Sequence, residues 1–222
     1  MEIGRYKRGE LVAKWDKILR EKWYRQEKPD ELVVNFFASL KKENKTLRIF
    51  DLGCGAGRNL VYMASQGFEA HGMDMSQTGL DLTRKRLEKR NLKAHVVKGD
   101  MHWLPYMNAC FNVVICLFAI YHQKLEDIKV TISEIRRVLK KKGVLLVNFQ
   151  SKNSQMYGKG IKIEEDTFIR QDGPEKGVPH HFTDKQEIMK LLKDFQTINI
   201  ELHERTSADG YFQSRWAVVA TA

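Results

Sequence analysis

The sequence predicts an α/β protein: a doubly wound, mainly parallel sheet with helices on both faces. Three observations carry the prediction. A short apolar run, Leu47 to Leu52, leads into glycines at alternate positions, Gly53, Gly55 and Gly57, and then into a helical segment that starts at Arg58. Strand-like apolar runs then alternate with amphipathic helical stretches as far as residue 149. Two later runs end, like the first, at an acidic residue, Asp74 and Asp100.

Composition narrows the class. The chain has 222 residues, a length that suits one α/β domain with additions. Apolar residues make up 42% of it, and no apolar run approaches the length of a membrane span. The start, Met-Glu-Ile-Gly-Arg-Tyr-Lys, lacks the apolar centre of a signal peptide. Three cysteines, Cys54, Cys110 and Cys116, are an odd number without a C-x-x-C spacing, which argues against a disulfide framework or a zinc knuckle. The expected compartment is therefore reducing and cytoplasmic. Seven histidines show no H-x-x-x-H pair, so no metal site is expected.

The net charge is +10 and is clustered in residues 84–98 and 136–142. One reading is solvated outer helix faces; the sharper one is a nucleic-acid footprint. No aromatic-interleaved basic stripe accompanies either cluster.

Taken in order, residues 1–45 predict two amphipathic helices. Leu11, Trp15, Ile18, Leu19 and Trp23 recur at helical spacing, Lys28-Pro29-Asp30 interrupts, and Leu32, Val33, Phe36, Phe37 and Leu40 resume. Trp15 and Trp23 read as core residues, with a lid over a ligand as the alternative. The glycines after the first strand occupy a strand-to-helix turn, where they permit positive φ and close backbone approach. The helix start behind them can receive an anionic group. This loop does not match the dinucleotide fingerprint G-x-G-x-x-G, because Leu60 stands where the last glycine is required.

A second strand ends at Asp74, and Ser76 is the expected N-cap of a helix running to about Arg90. An acid at that strand end suits ribose hydroxyls, although it also suits the following helix N-terminus. Lys93 to Lys98 reads as a third strand, followed by Gly99-Asp100-Met101. Phe111 to Cys116 is a fourth, followed by Leu117, Tyr121 and His122. Asp127 to Lys142 reads as a helix, with Gly143 supplying a positive φ before a fifth strand, Val144 to Phe149. Residues 150–182 have no clear period and close on His180-His181-Phe182; so long a loop is usually functional or mobile. Asp184 to Phe195 reads as a helix, with strands at Ile198–His203 and Trp216–Thr221.

The segment Asp51-Leu-Gly-Cys-Gly-Ala-Gly57 resembles the first motif of class I S-adenosylmethionine-dependent methyltransferases, an acid, a spacer and G-x-G-x-G. Asp74, Asp100, Leu104-Pro105-Tyr106, Phe111-Asn112-Val113-Val114 and Arg137-Val138-Leu139-Lys140 follow in that family's order, with Asn112 in place of the usual Asp. The resemblance covers about residues 47–149 and is closest to small stand-alone members, the tellurite-resistance type included. It implies a Rossmann-like seven-stranded sheet with an antiparallel last strand. It divides the single domain into an N-terminal helical cap (1–45), a cofactor-binding core (46–149), a substrate-loop insertion (150–182) and a C-terminal helix with two strands (183–222). A nicotinamide-dependent dehydrogenase lacks this glycine spacing and has no use for Asp100.

By the same resemblance, S-adenosyl-L-methionine is held at its methionine part by Asp51 and the backbone of Gly53, Cys54, Gly55 and Gly57. Asp74 and Met75 take the ribose, Asp100 and Met101 the adenine, and Leu117 offers backbone to the methionine part. S-adenosyl-L-homocysteine is the product. His122 is the candidate general base, with a packing role as its alternative. Tyr121, His180 and His181 are candidates for the substrate. The expected activity is in-line methyl transfer to a small molecule. An RNA methyltransferase and a catalytically silent cofactor-binding subunit are the alternatives. Oligomeric state is not legible.

Overall fold

The computed structural model describes residues 8–39 and 47–222. Its frame is a parallel sheet of β1 (Arg48–Leu52), β2 (Glu69–Asp74), β3 (His95–Lys98), β4 (Phe111–Cys116) and β5 (Leu139–Ser151). The spatial order is β3-β2-β1-β4-β5. Consecutive β1, β2 and β3 step one way and β4 and β5 the other, so the chain changes direction between β1 and β4. In an open α/β sheet that point opens a crevice at the carboxyl ends of the strands. β10 (Phe212–Thr221) pairs antiparallel with β5, and β9 (Ile198–Thr206) antiparallel with β10. These complete the expected seven-stranded sheet.

Helices cover both faces. On one side lie α2 (Glu31–Ser39), α3 (Arg58–Ser65) and α4 (Gln77–Lys89), whose Val33, Leu60, Met63 and Leu87 pack on Ile49 and Ile115. On the other, Ile128, Ile132 and Ile135 of α5 (Leu125–Val138) and Ile188 of α6 (Lys185–Leu191) pack on Phe50, Val114 and Phe149. β1 serves both layers because its side chains alternate: Ile49 points to one, Phe50 and Leu52 to the other. The expected N-cap is present: Ser76 Oγ accepts from Gly79 N at 3.1 Å.

Several elements depart from the sequence reading. The helix before the fifth strand ends at Val138, and β5 begins at once with Leu139. A register shift between Phe111 and Val113 absorbs the extra residues. The positive φ falls on Lys142 (63°) rather than on Gly143. Gly143 is needed for close approach instead, since a Cβ there would lie 2.8 Å from Lys140 O.

The stretch 150–182 is not one long loop. It contains the hairpin β6 (Ile161–Glu164) and β7 (Thr167–Ile169), and β8 (Pro179–Thr183). β8 pairs parallel with Gln150 and Ser151. Arg215 of β10 already occupies one edge of Gln150, so β8 takes the other edge, beyond the end of β4. The three added strands bring the sheet to ten and stand over the carboxyl ends of the parallel strands.

The first N-terminal helix, α1 (Arg8–Ile18), stops before Trp23, which lies in a short 3-10 turn (Lys22–Arg25) and is 73% exposed. Trp23 is therefore not core. The parts of the expected helices that fall in 1–7 and 40–46, Leu40 among them, lie outside the described residues. α1 is tied to the frame at two points: Asp16 accepts from Ser76 Oγ (2.6 Å) and Thr78 N (2.9 Å), and Lys14 Nζ donates to Gly177 O (2.9 Å).

Candidate functional site

The glycine loop is built by backbone conformations that side chains resist. Gly53, Gly55 and Gly57 have φ of 77°, 53° and 80°. A Cβ on Gly53 would strike Ala119 Cβ at 2.5 Å, and one on Gly57 would strike Thr83 Oγ1 at 2.5 Å. Gly53 N and Cys54 N both donate to Met73 O, at 2.8 and 3.0 Å, which locks the loop to the end of β2. Asp74 completes the clamp: its carboxylate accepts from Gly55 N and Ser76 N, both at 2.8 Å.

One cavity of about 820 Å³ opens at these strand ends. Its walls include Gly53, Cys54 and Gly55, Asp74 and Met75 beyond β2, Asp100 and Met101 beyond β3, and Leu117, Tyr121 and His122 beyond β4. Three other parts of the chain close over it. α1 and the turn after it supply Leu11, Trp15 and Leu19; the segment leading to β8 supplies Arg170 and Glu175; the β9–β10 hairpin supplies Arg205, Tyr211, Gln213 and Arg215. Trp15 thus faces a cavity, which favours the lid over the core reading, and its ring meets His122 edge-on at 4.8 Å.

Asp51 and Gly57 do not line the cavity; they lie behind the loop. Asp51 is 2% exposed, and its Oδ2 has no hydrogen-bond partner. Burial pushes its carboxyl up to about 7, against the pull of the Arg58 guanidinium. Burial also raises Asp74, against the backbone N–H groups that stabilise its charge. Asp100 bonds His102 Nδ1 at 2.5 Å and accepts from its backbone N at 3.0 Å. Met101 Sδ accepts from Gln123 Nε2 at 2.9 Å.

The three expected substrate-side residues separate. Tyr121 lines the cavity and is buried, which pushes its phenol up to about 12. His180 stands one layer back: its ring meets His122 at 4.6 Å, and its Nε2 lies 3.1 Å from Glu175 Oε2. His181 faces away. It is 1% exposed, with Nδ1 2.7 Å from Thr167 Oγ1 and Nε2 3.3 Å from Glu187 Oε2. Alternation along β8 explains the split, since adjacent strand residues face opposite sides.

His122 is neutral. Burial, helped by nearby His180, drops its imidazole to about 3, and its Nδ1 has no hydrogen-bond partner. Glu175, behind it, is held down at about 2: burial works against its charge, but the His180 contact and Tyr24 outweigh it. Tyr24 OH donates to Glu175 Oε1 at 3.0 Å.

Sequence reasoning missed the arginines. Arg58 and Arg215 flank the Phe118 ring at 5.0 and 5.2 Å, and Phe118 itself has φ 57°, an uncommon conformation for a bulky residue. The only available signal was the run Phe212-Gln213-Ser214-Arg215, whose alternation extends the last strand upstream of Trp216.

The arginines of the basic clusters make internal bonds. Arg86 donates to Ala56 O (2.5 Å), Gln26 O (3.1 Å) and Arg25 O, fastening the N-terminal segment to the glycine loop. Arg90 pairs with Glu27 at 2.8 Å, and Arg137 binds Glu134, Leu104 O and Tyr106 O. Cys54, Cys110 and Cys116 are buried free thiols. Among the described residues no helix is long and apolar enough to cross a membrane.

The orphaned Oδ2 of Asp51, the side-chain-free approach at Gly53 and the two cavity-lining acids fit a ligand with an amino-acid end that bears an ammonium, a hydroxylated sugar and an amine-bearing base. S-adenosylmethionine has those features.

Comparison with known proteins agrees. Residues 49–143 match the family described as "Methyltransferase domain". A ubiquinone biosynthesis O-methyltransferase from Rickettsia canadensis is 24% identical over 135 residues, 61% of this chain and 56% of that protein. The match thus spans little more than half of that relative's length. A SAM-dependent methyltransferase from Methanosarcina mazei superimposes with a TM-score of 0.71 at 20% identity, covering 87% of this chain and 98% of that one. TehB from Haemophilus influenzae gives 0.65 at 18% identity, covering 93% and 66%. At such identities the structures speak to the fold, and the family match to the domain. Residues 49–143 thus match a methyltransferase domain, and the fold around them is that of solved S-adenosylmethionine-dependent methyltransferases.

Proposed function

We propose that this chain transfers the methyl group of S-adenosylmethionine to a small-molecule acceptor. The observation that carries the reading is the convergence of the glycine loop, Asp74 and Asp100 on one cavity, with Asp51, whose Oδ2 has no hydrogen-bond partner, behind it. When bound, the cofactor supplies a methyl group on a sulfonium, already attached to a good leaving group. The protein's task is then positioning and exclusion of water more than chemistry.

Asp51 would compensate the ammonium of the methionine part, and Arg58 with the start of α3 its carboxylate. Asp74, with its second lone pairs free of the loop, would take the ribose hydroxyls. Asp100 and the Met101 backbone would take the adenine edge. Trp15 and Leu19 would cover the reacting centre from above. His122 offers a neutral nitrogen, Nδ1, to the acceptor. With a pKa near 3 it is too weak a base to hold a proton at neutral pH, so we assign it to orienting the acceptor and not to deprotonating it. The relative named an O-methyltransferase favours oxygen as the accepting atom.

A small acceptor is supported by the size of the cavity, about 820 Å³ for both reactants, within the range of ordinary small-molecule pockets. The internal use of Arg86, Arg90 and Arg137 weakens the support that the basic clusters give to RNA.

Calorimetric titration with S-adenosylhomocysteine tests the reading. Binding is expected in the wild type and at least tenfold weaker in Asp74→Ala and Asp51→Ala. No binding to the wild type, or equal affinity in both variants, would overturn it.

A further inference from the structure

The cavity wall holds Asp74 and Asp100 at the ends of β2 and β3 and, toward the other end of the sheet, three arginines contributed by the chain after β7 and by the β9–β10 hairpin; Arg58, Lys124, Asp30, Asp127 and Glu175 complete its charged lining. Gln213 and Arg215 alternate along β10 and so share a face, Tyr211 precedes them in the hairpin turn, and Arg205 sits opposite Gln213 in the register.

These cations are short of partners. Arg205 and Arg215 pair with no carboxylate among the described residues; Arg215 Nη1 bonds the neutral Gln213 Oε1 at 2.7 Å, and its side chain also hydrogen-bonds the neutral phenol of Tyr121. Arg170 meets Asp172 at 3.2 Å, but that carboxylate is 80% exposed and stands outside the cavity wall. The Nε atoms of both Arg170 and Arg215 are buried without an acceptor. Buried donors on a charged group are costly to leave unmade, and the usual explanation is an acceptor that arrives with a ligand. Glu175, the acid nearest this side, is already engaged by His180 and Tyr24.

We propose that the methyl acceptor is itself an anion: a small aromatic or otherwise flat molecule whose carboxylate or phosphate docks against Arg170, Arg205 and Arg215. Arginine matches either group with paired N–H donors. The rings of Phe118, Tyr121 and Tyr211 on the same cavity wall suit a flat body. This inference rests on the methyltransferase reading above.

The test uses the full chain saturated with S-adenosylhomocysteine, so that the cofactor's own carboxylate site is filled. Benzoate, phenyl phosphate, benzamide and benzylammonium are titrated by calorimetry. Benzoate or phenyl phosphate is expected to bind at least tenfold tighter than the two others, the tighter one naming the anionic group. That preference should disappear in Arg215→Gln and shrink in Arg205→Gln, whose exposed strand position makes misfolding a poor explanation. S-adenosylhomocysteine affinity should be unchanged in both. Equal binding of the neutral, cationic and anionic probes, or no binding of any, would overturn the inference, as would an anion preference that survives both substitutions. Failure of S-adenosylhomocysteine to bind at the first step would instead overturn the methyltransferase reading itself.

Discussion

Replacing Asp51 by Asn should make the protein more stable and less able to bind its cofactor. The wild-type carboxyl titrates near 7 in the folded chain against 3.8 as its ordinary value, because burial penalises its charge and Oδ2 has no hydrogen-bond donor. Between those two pH values the folded state holds a proton that the unfolded state has lost. Stability therefore falls as pH rises through that window and levels off above about 7. At about 1.4 kcal/mol for each pKa unit, the full penalty above the window is about 4 kcal/mol. Asparagine carries no charge and escapes it, although its amide needs a partner in the same space. A net gain of about 2 kcal/mol at pH 8, vanishing at about pH 5.3 and reversing to a small loss by pH 4.5, is the expected balance. Urea unfolding of both proteins from pH 4.5 to 8.5, without cofactor, measures it. Parallel stability curves would refute the reasoning, because they would mean that Asp51 is solvated or paired in the folded chain. The same variant should bind S-adenosylhomocysteine at least tenfold more weakly at pH 8, where the wild-type carboxylate is charged and ready for the ligand's ammonium. The destabilising charge and the binding function are then one feature.

Three other outcomes follow from the geometry. Gly57→Ala must place a methyl group on a residue with φ 80° and 2.5 Å from Thr83 Oγ1, so a loss of about 2–3 kcal/mol in chemical unfolding is expected; a loss below 0.5 kcal/mol would contradict the packing described. His122→Asn should lower turnover without removing any limb of its pH profile between 5 and 9, since an imidazole near 3 does not titrate there; loss of an acidic limb would restore His122 as a base. Glu175, held near 2, contributes stability that is present above its ordinary value of 4.5 and lost as pH falls toward 2. Glu175→Gln should therefore cost about 1–3 kcal/mol at pH 7 and little at pH 3, and an equal cost at both would show that its charge is not what His180 and Tyr24 require.

The sequence was most informative where backbone demands and residue types coincide. The alternate glycines located the turn after β1, and Asp74 and Asp100 fell at the carboxyl ends of β2 and β3, because only small residues and short acids suit those places. Ser76 capped its helix as its type suggests. Burial created by distant partners was much less legible. His181 looks like a substrate residue until Thr167 and Glu187 close around it. Trp23 continues the helical spacing of Leu11 and Trp15, yet the helix ends five residues earlier and leaves it exposed. The upper half of the β9–β10 hairpin carried little pattern, since residues 201–206 are exposed on both sides and show no alternation. Its arginines matter through their position over a cavity formed by other strands, which spacing along the chain does not encode. Asp51 was legible as a motif residue, while the isolation of its Oδ2 was not.

The central claim, methyl transfer to a small molecule, is tested most directly by incubating the protein with methyl-labelled S-adenosylmethionine and cell extract, then separating small molecules, RNA and protein. The account predicts label in the small-molecule fraction, in a compound retained by an anion exchanger. Label confined to RNA and released by nuclease, or no label from a protein that binds S-adenosylhomocysteine, would contradict it.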